Sequence, residues 1–228
     1  MTTRFSDLIK KHSLDFIGLQ ETMKKKFPSK FLRKIDPFDR FEWNWVPSVG
    51  KSGGTLCGVK KETLEIISWV AGNLLLQVNV YDVKHKCVWA LMVVYGAAQN
   101  ERKDEFLSEL VSVCSQLHVP YIVDGDFNIL RDSGEKNKNM AHSHYIYKFN
   151  SVIQTLKLGE IHMGGGKHTW TNKQKHPTLE KLHRILMRFD WEDMFPLVVV
   201  RKLVRDVSGH NLLLLTSGPE KTRPFPPT

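Results

Sequence analysis

Residues 87–128 read CVWALMVVYGAAQNERKDEFLSELVSVCSQLHVPYIVDGDFN, and the hydrophobic period changes twice along them. Cys87 to Tyr95 is a continuous apolar run of strand length. Asn100 to His118 sets Phe106, Leu107, Leu110, Val113, Cys114 and Leu117 at helical spacing. Asn100 or Glu101 stands where a side-chain acceptor can satisfy the free backbone donors at a helix start. Pro120 follows the helix end. Tyr121 to Val123 is apolar and short again, and it runs into Asp124-Gly125-Asp126-Phe127-Asn128.

The same alternation extends outward. Upstream, Phe5 to Lys11 reads as the end of a helix and Leu14 to Gln20 (LDFIGLQ) as a buried strand. Phe41 to Val46 is rich in aromatics, and Ser48 to Gly54 has loop composition. Thr55 to Val59, Leu64 to Trp69 and Leu74 to Tyr81 read as strands, turned by Gly72-Asn73 and Asp82 to Lys86. Downstream, Tyr145 to Leu156 is a second helix after a polar loop, Arg131 to His144. Leu182 to Met187, Val198 to Leu203 and Asn211 to Leu215 are further strands. Strands with helices between them predict an α/β fold, two sheets packed face to face and flanked by helices. One domain over residues 1–216 is expected. The Pro-rich segment 217–228 is expected to be a disordered tail.

Composition narrows the class. The chain has 228 residues, 41% hydrophobic and 25% charged, with six Trp and twelve Phe, which excludes disorder as its main state. The net charge of +9 favours a polyanionic partner such as nucleic acid. Cys57, Cys87 and Cys114 form no Cys-x-x-Cys pair, so they read as reduced thiols and not as a zinc site. No run is long enough for a membrane helix, and the N-terminus has no apolar signal core. An intracellular place, nucleus or cytoplasm, is the expectation.

Taken singly, the polar residues at strand ends are ambiguous. Glu21 closes the first apolar strand, and a carboxylate there is commonly just solvated. Asp126 and Asn128 straddle Phe127. Asp-Gly-Asp is a common turn, yet period two directs both side chains to one side. His210 precedes Asn211 to Leu215, where a lone imidazole is more often inert.

Together, and in order, these pieces resemble the endonuclease/exonuclease/phosphatase superfamily, the deoxyribonuclease I-like proteins. Within it they are similar to the endonuclease domain of plant LINE-type (non-LTR) retrotransposons. The matching segments are DFIGLQET (15–22), KSGGTLCGV (51–59), VYGAAQNERKDEFLSEL (94–110), VDGDFNILR (123–131), FN (149–150), GGGKHTWTNKQKHPTLEKLHRIL (164–186), DWEDMFP (190–196) and VRDVSGHNLLLL (204–215). The resemblance implies a four-layer α/β sandwich of two packed mixed sheets, with the site at the mouth between them. It also implies Mg²⁺-dependent hydrolysis of DNA phosphodiesters, with DNA held non-specifically through its phosphates.

Residue by residue, Glu21 matches the family's metal-binding Glu. Asp126 matches the Asp that orients or deprotonates the attacking water, and it shares in holding the metal. Asn128 matches the Asn that steadies phosphate and metal. Tyr95 matches a Tyr near the phosphate, and His210 the His that contacts it. Trp170 and Asn172, in the TWTN segment, match the border of the substrate cleft. Lys173, Lys175 and Lys181 nearby are candidate phosphate contacts. Trp43 and Trp45 read as packing residues, and the basic run from Lys24 to Lys34 as a solvated face.

Three departures predict impairment. The family has Leu-Asp-Arg where this chain has Leu182-His183-Arg184. It has Ser-Asp-His where this chain has Ser208-Gly209-His210. Its first strand, which carries an Asn, is missing. Losing a carboxylate that orients a catalytic His costs about 10⁴ in the serine-protease case. Restoring Asp at 183 and 209 is therefore expected to fall short of full activity without the first strand. The main reading is an impaired endonuclease. The alternative is a catalytically dead relative that keeps the fold and binds nucleic acid. A phosphatase of small phosphoesters or lipids is a third.

Overall fold

The computed structural model describes residues 2–49, 53–139, 143–203 and 209–218. Most of segment 217–228, read above as a tail, lies outside them, as does His142. The chain begins with α1 (Thr2–His12), β1 (Phe16–Leu19), α2 (Ser29–Ile35), β2 (Phe41–Val46) and β3 (Thr55–Lys60). An antiparallel meander follows: β4 (Leu64–Ala71), β5 (Leu75–Asp82) and β6 (Cys87–Tyr95). Helix α3 (Lys103–Ser115) then crosses to β7 (Tyr121–Asp126), which pairs parallel to β6. Next come α4 (His144–Thr155), β8 (Leu158–Glu160), β9 (Met163–Gly164), β10 (Trp170–Thr171) and β11 (Leu179–Glu180). β12 (His183–Arg188), α5 (Phe189–Met194), β13 (Val199–Leu203) and β14 (Leu212–Thr216) complete the order.

These elements make four layers. The central sheet has the order β4-β5-β6-β7-β12-β8. Its outer face packs on α3 and α4 through Val94, Phe106, Leu110, Phe127 and Phe149. Its inner face meets two three-stranded sheets, β1-β3-β2 and β14-β13-β9, through Val59, Val78, Leu91, Ile122, Ile185 and Val200. A separate core of Ile9, Ile17, Ile35, Phe41 and Leu56 joins α1 and α2 to β1, β2 and β3. The α/β sandwich expected from the sequence is the architecture found. Cys57 and Cys114 are buried in it, and Cys87 is half-buried.

Some local readings change. Residues 29–35 are a short helix and more than a solvated basic face. Lys30 and Lys34 are exposed, while Phe31, Leu32 and Ile35 join the core against β2. The aromatic run 41–46 is strand β2, and Trp43 and Trp45 pack as expected. No side chain caps the helix after Asn100. A 3₁₀ turn, Asn100–Arg102, leads into α3 instead.

Among the described residues, β1 pairs only with β3 and β14 only with β13. β1 therefore presents one open edge toward the slot. β1 and β14 line one cavity of about 390 Å³, together with Leu8, Asp124, Trp191 and Phe195. The facing layer is thus two sheets with a slot between them.

Candidate active site

The central sheet sets three side chains in one row. In the parallel pair, Tyr95 at the end of β6 stands opposite Asp126 at the end of β7. In the antiparallel pair, His183 at the start of β12 stands opposite the same Asp126. The facing layer supplies Glu21, just beyond β1, and His210, just before β14. All five therefore meet where the strands of both layers end. Glu21, His183 and His210 line a cavity of about 400 Å³.

Each position has a local cause. Glu21 has φ 51°, which ends the strand and turns its carboxylate toward the central sheet. The amides of Thr22 and Met23 donate to the carbonyls of Gly54 and Gly53, at 3.1 and 3.0 Å, fixing the turn. His210 bridges to Trp170, and the Asn211 amide donates to the Thr169 carbonyl at 2.8 Å. The Thr169 hydroxyl accepts from the amides of Leu182 and His183, both at 2.9 Å, anchoring the start of β12.

The contacts are close. The Tyr95 hydroxyl donates to Glu21 Oε1 at 2.9 Å. His210 Nε2 lies 3.2 Å from Glu21 Oε2, and His210 Nδ1 lies 3.8 Å from Asp126 Oδ2. The His183 and His210 rings meet edge to face at 4.9 Å. Asp126 is fully buried, and its Oδ2 has no hydrogen-bond partner. Burial raises the Asp126 carboxyl to about 6, against the pull of His210. The hydrogen bond from His210, joined by that of Tyr95, outweighs burial at Glu21 and lowers its pKa. Burial, helped by Glu21, raises the Tyr95 phenol and keeps it a donor. Burial, then the His210 charge, lowers His183 to about 3, so its imidazole is neutral.

The remaining candidates have other partners. Asn128 lies past the strand end with φ 51°, so the period-two reading does not carry to it. Its side-chain amide donates to the Gly96 carbonyl at 2.8 Å, and its backbone amide donates to Asp126 Oδ1 at 3.1 Å. Asn128 thus holds the Asp126 carboxylate through its backbone. Trp170 is half-buried, 6.3 Å from the His210 ring, and packs on Leu130, Ile146 and Leu182. The Asn172 side-chain oxygen accepts from the Thr178 amide at 2.9 Å and shapes its own loop. Lys173 and Lys175 are exposed, but Lys181 is not a free phosphate contact. Its ammonium lies 2.6 Å from Glu160 Oε1, in an internal network.

Asp124 is a feature the sequence reading passed over. It lies two residues before Asp126 on β7, lines both cavities, and is raised by burial to about 7. The alternation Asp124-Gly125-Asp126 was the signal, since period two places both carboxylates on the inner face.

Gly209 is sterically constrained. A Cβ there would lie 2.5 Å from the Thr171 carbonyl oxygen, and the Gly209 carbonyl accepts from the Thr171 amide at 2.9 Å. Gly209→Asp is therefore expected to destabilise the fold by about 1–3 kcal/mol through overpacking. Urea unfolding of Gly209→Asp and His183→Asp, measured separately, checks this. A midpoint for Gly209→Asp equal to that of the parent would show that the strand mouth yields freely.

No protein-family model and no curated protein matches the sequence significantly. Solved structures do match its shape. The endonuclease domain of TRAS1, a telomere-specific non-LTR retrotransposon, is 13% identical with a TM-score of 0.72, covering 96% of this chain and 94% of its own. The AP endonuclease LMAP of Leishmania major is 12% identical with a TM-score of 0.74, covering 95% and 82%. An endonuclease/exonuclease/phosphatase from Bacteroides vulgatus is 13% identical with a TM-score of 0.57, covering 95% and 90%. At such identities the likeness is one of fold. Nearly the whole chain therefore shares the α/β sandwich fold of these solved structures.

Proposed function

We propose that this chain is a retrotransposon-derived, Mg²⁺-dependent endonuclease-like domain that hydrolyses DNA phosphodiesters at a reduced rate. The observation that carries the reading is the row Tyr95, Asp126 and His183 facing Glu21 and His210 across the mouth of the sandwich. A chain of net charge +9 suits a polyanionic substrate, and phosphate contacts without base reading make such binding non-specific.

The residues fit a hard cation. Asp126 Oδ2 is a buried oxygen without a hydrogen-bond partner, and the Glu21 carboxylate, which lines the cavity, is joined to it through His210. Glu21 and Asp126 would hold Mg²⁺, which when bound supplies positive charge to the phosphate oxygens. Asp126, ionised above about 6, accepts the proton of an attacking water. Tyr95 stays protonated and donates toward the carboxylate side of the site. His210 faces the opening, where it would meet the scissile phosphate, and Trp170, 6.3 Å from the His210 ring, would carry the cleft edge with the Asn172 loop.

The same geometry explains a reduced rate. Glu21 is engaged by both Tyr95 and His210, so one carboxylate must serve the imidazole and the cation. His183 is neutral and buried, and it cannot act as an anionic orienter of His210. A loss of about 10³ or more relative to an intact relative follows from these two effects.

Nicking of supercoiled plasmid with and without Mg²⁺, beside an Asp126→Ala control, tests the reading. The expected result is slow, Mg²⁺-dependent nicking that the control lacks. Folded protein that does not nick, or an Asp126→Ala variant that nicks equally, overturns it. The second reading rests on the His183–His210 contact in place of an acid–imidazole pair. It is a catalytically dead fold that binds DNA through charge, with affinity falling steeply as salt rises.

A further inference from the structure

We propose that Asp126, His183 and His210 form a site for a divalent transition metal of the zinc class, with Glu21 as its outer support. The site is defined by nitrogen ligands, and it stands whether or not the pocket cleaves DNA.

One ligand atom from each of the three residues lies within 4.8 Å of the others. Asp126 is 0% exposed and His183 is 9% exposed. Asp126 Oδ2 and His183 Nδ1 are both buried without a hydrogen-bond partner. An unsatisfied buried carboxylate oxygen and imidazole nitrogen are costly to leave facing nothing. A cation between them would satisfy both at once.

His210 completes the set through Glu21. With Nε2–H donating to Glu21 Oε2 at 3.2 Å, Nδ1 presents its lone pair toward Asp126 Oδ2, 3.8 Å away. A carboxylate that fixes the tautomer of a metal-binding imidazole is the usual outer support of such sites. Bonds of 2.0–2.1 Å at tetrahedral angles put donor atoms about 3.3 Å apart, so the His210–Asp126 pair at 3.8 Å needs little closure, and side-chain rotation must bring atoms now within 4.8 Å together by up to about 1.5 Å.

The donor set selects the metal. Two imidazole nitrogens and one carboxylate suit Zn²⁺, Co²⁺ or Ni²⁺, whereas Mg²⁺ prefers oxygen and water. Three protein ligands leave a fourth position open toward the cavity. While ligated, Asp126 and His210 are withdrawn from the hydrolytic roles given above.

The test uses the full chain, stripped of metal and titrated with Co²⁺ followed by visible absorption. The expected result is one equivalent with the intense d–d bands of four-coordinate Co²⁺, displaced by Zn²⁺ and not by excess Mg²⁺. His183→Ala, which leaves no donor atom at this position, should abolish those bands, with circular dichroism confirming the fold. Should that variant not fold, Glu21→Gln serves, because Glu21 is a partly exposed supporting group. It should weaken Co²⁺ binding about 10–100-fold. Weak six-coordinate bands, several loose equivalents, or unchanged binding in these variants would overturn the site.

Discussion

Arg184→Met is expected to cost about 3–5 kcal/mol of stability, a large share of the roughly 5–15 kcal/mol typical of a domain. Arg184 is 2% exposed. Its guanidinium donates to Glu135 Oε2 at 3.0 Å, to Glu160 Oε2 at 3.1 Å, and to the carbonyls of Lys181 and Ile129 at 2.7 and 3.3 Å. Methionine fills similar volume but removes the buried guanidinium that both carboxylates share, leaving Lys181 as their remaining common cation. Arg131 and Lys181 still reach Glu160, which favours the lower end of the range. Urea unfolding measures the loss, and a cost under about 1 kcal/mol would show that the network is no more than surface pairing.

The same network sets an acid limit. Burial alone would raise the Glu160 carboxyl, but Arg184, Lys181 and Arg131 outweigh it and lower it to about 2. A depressed carboxylate contributes stability that is fully present above its unfolded value near 4.5 and is lost as pH falls through 2. The parent should therefore lose stability between those values, and Arg184→Met should lose less over the same range.

Gly125→Ala is the second large effect. A Cβ at Gly125 would lie 2.0 Å from the Val94 carbonyl oxygen, a backbone atom of the neighbouring parallel strand. The residue also sits at φ 154°, where L side chains are strained. Overpacking of about 1–3 kcal/mol and backbone strain of about 1–3 kcal/mol act together, because neither can relax without parting β6 from β7. The melting temperature should fall by about 10 °C, with Asp126 displaced and nicking lost. Melting within about 2 °C of the parent would refute the clash.

Much of this was legible in the residues, for identifiable reasons. The run 87–95 is apolar throughout because β6 is central and covered on both faces, so its limits could be read directly. Helix α4 shows a clean apolar stripe, Phe149 and Ile153 among it. Helices α2 and α5 were not legible, since fewer than two turns give periodicity little room. Glu21, Asp126 and His210 do converge. Their neighbour His183 joins them through β7–β12 pairing, a non-local fact that no local pattern encodes. Lys181 shows the opposite failure. A lysine in a polar loop reads as exposed, and only the packed carboxylates of Glu135 and Glu160 reveal its role.

The three cysteines make the sandwich its own clock. Burial, with Asp124 nearby, raises the Cys57 thiol, and burial pushes Cys114 up to about 12, so neither presents a thiolate to an alkylating reagent while the layers are closed. Cys57 lies in the core between the sheets, and Cys114 is on the face of α3 that packs on the central sheet. Cys87 is half-buried at a strand start, and burial, with Asp82 nearby, raises its thiol, but it is less completely enclosed than the other two and is expected to react first. Alkylation rates at Cys57 and Cys114 then report separately how often the two sheets part and how often the helical layer lifts, with Cys87 as the internal reference.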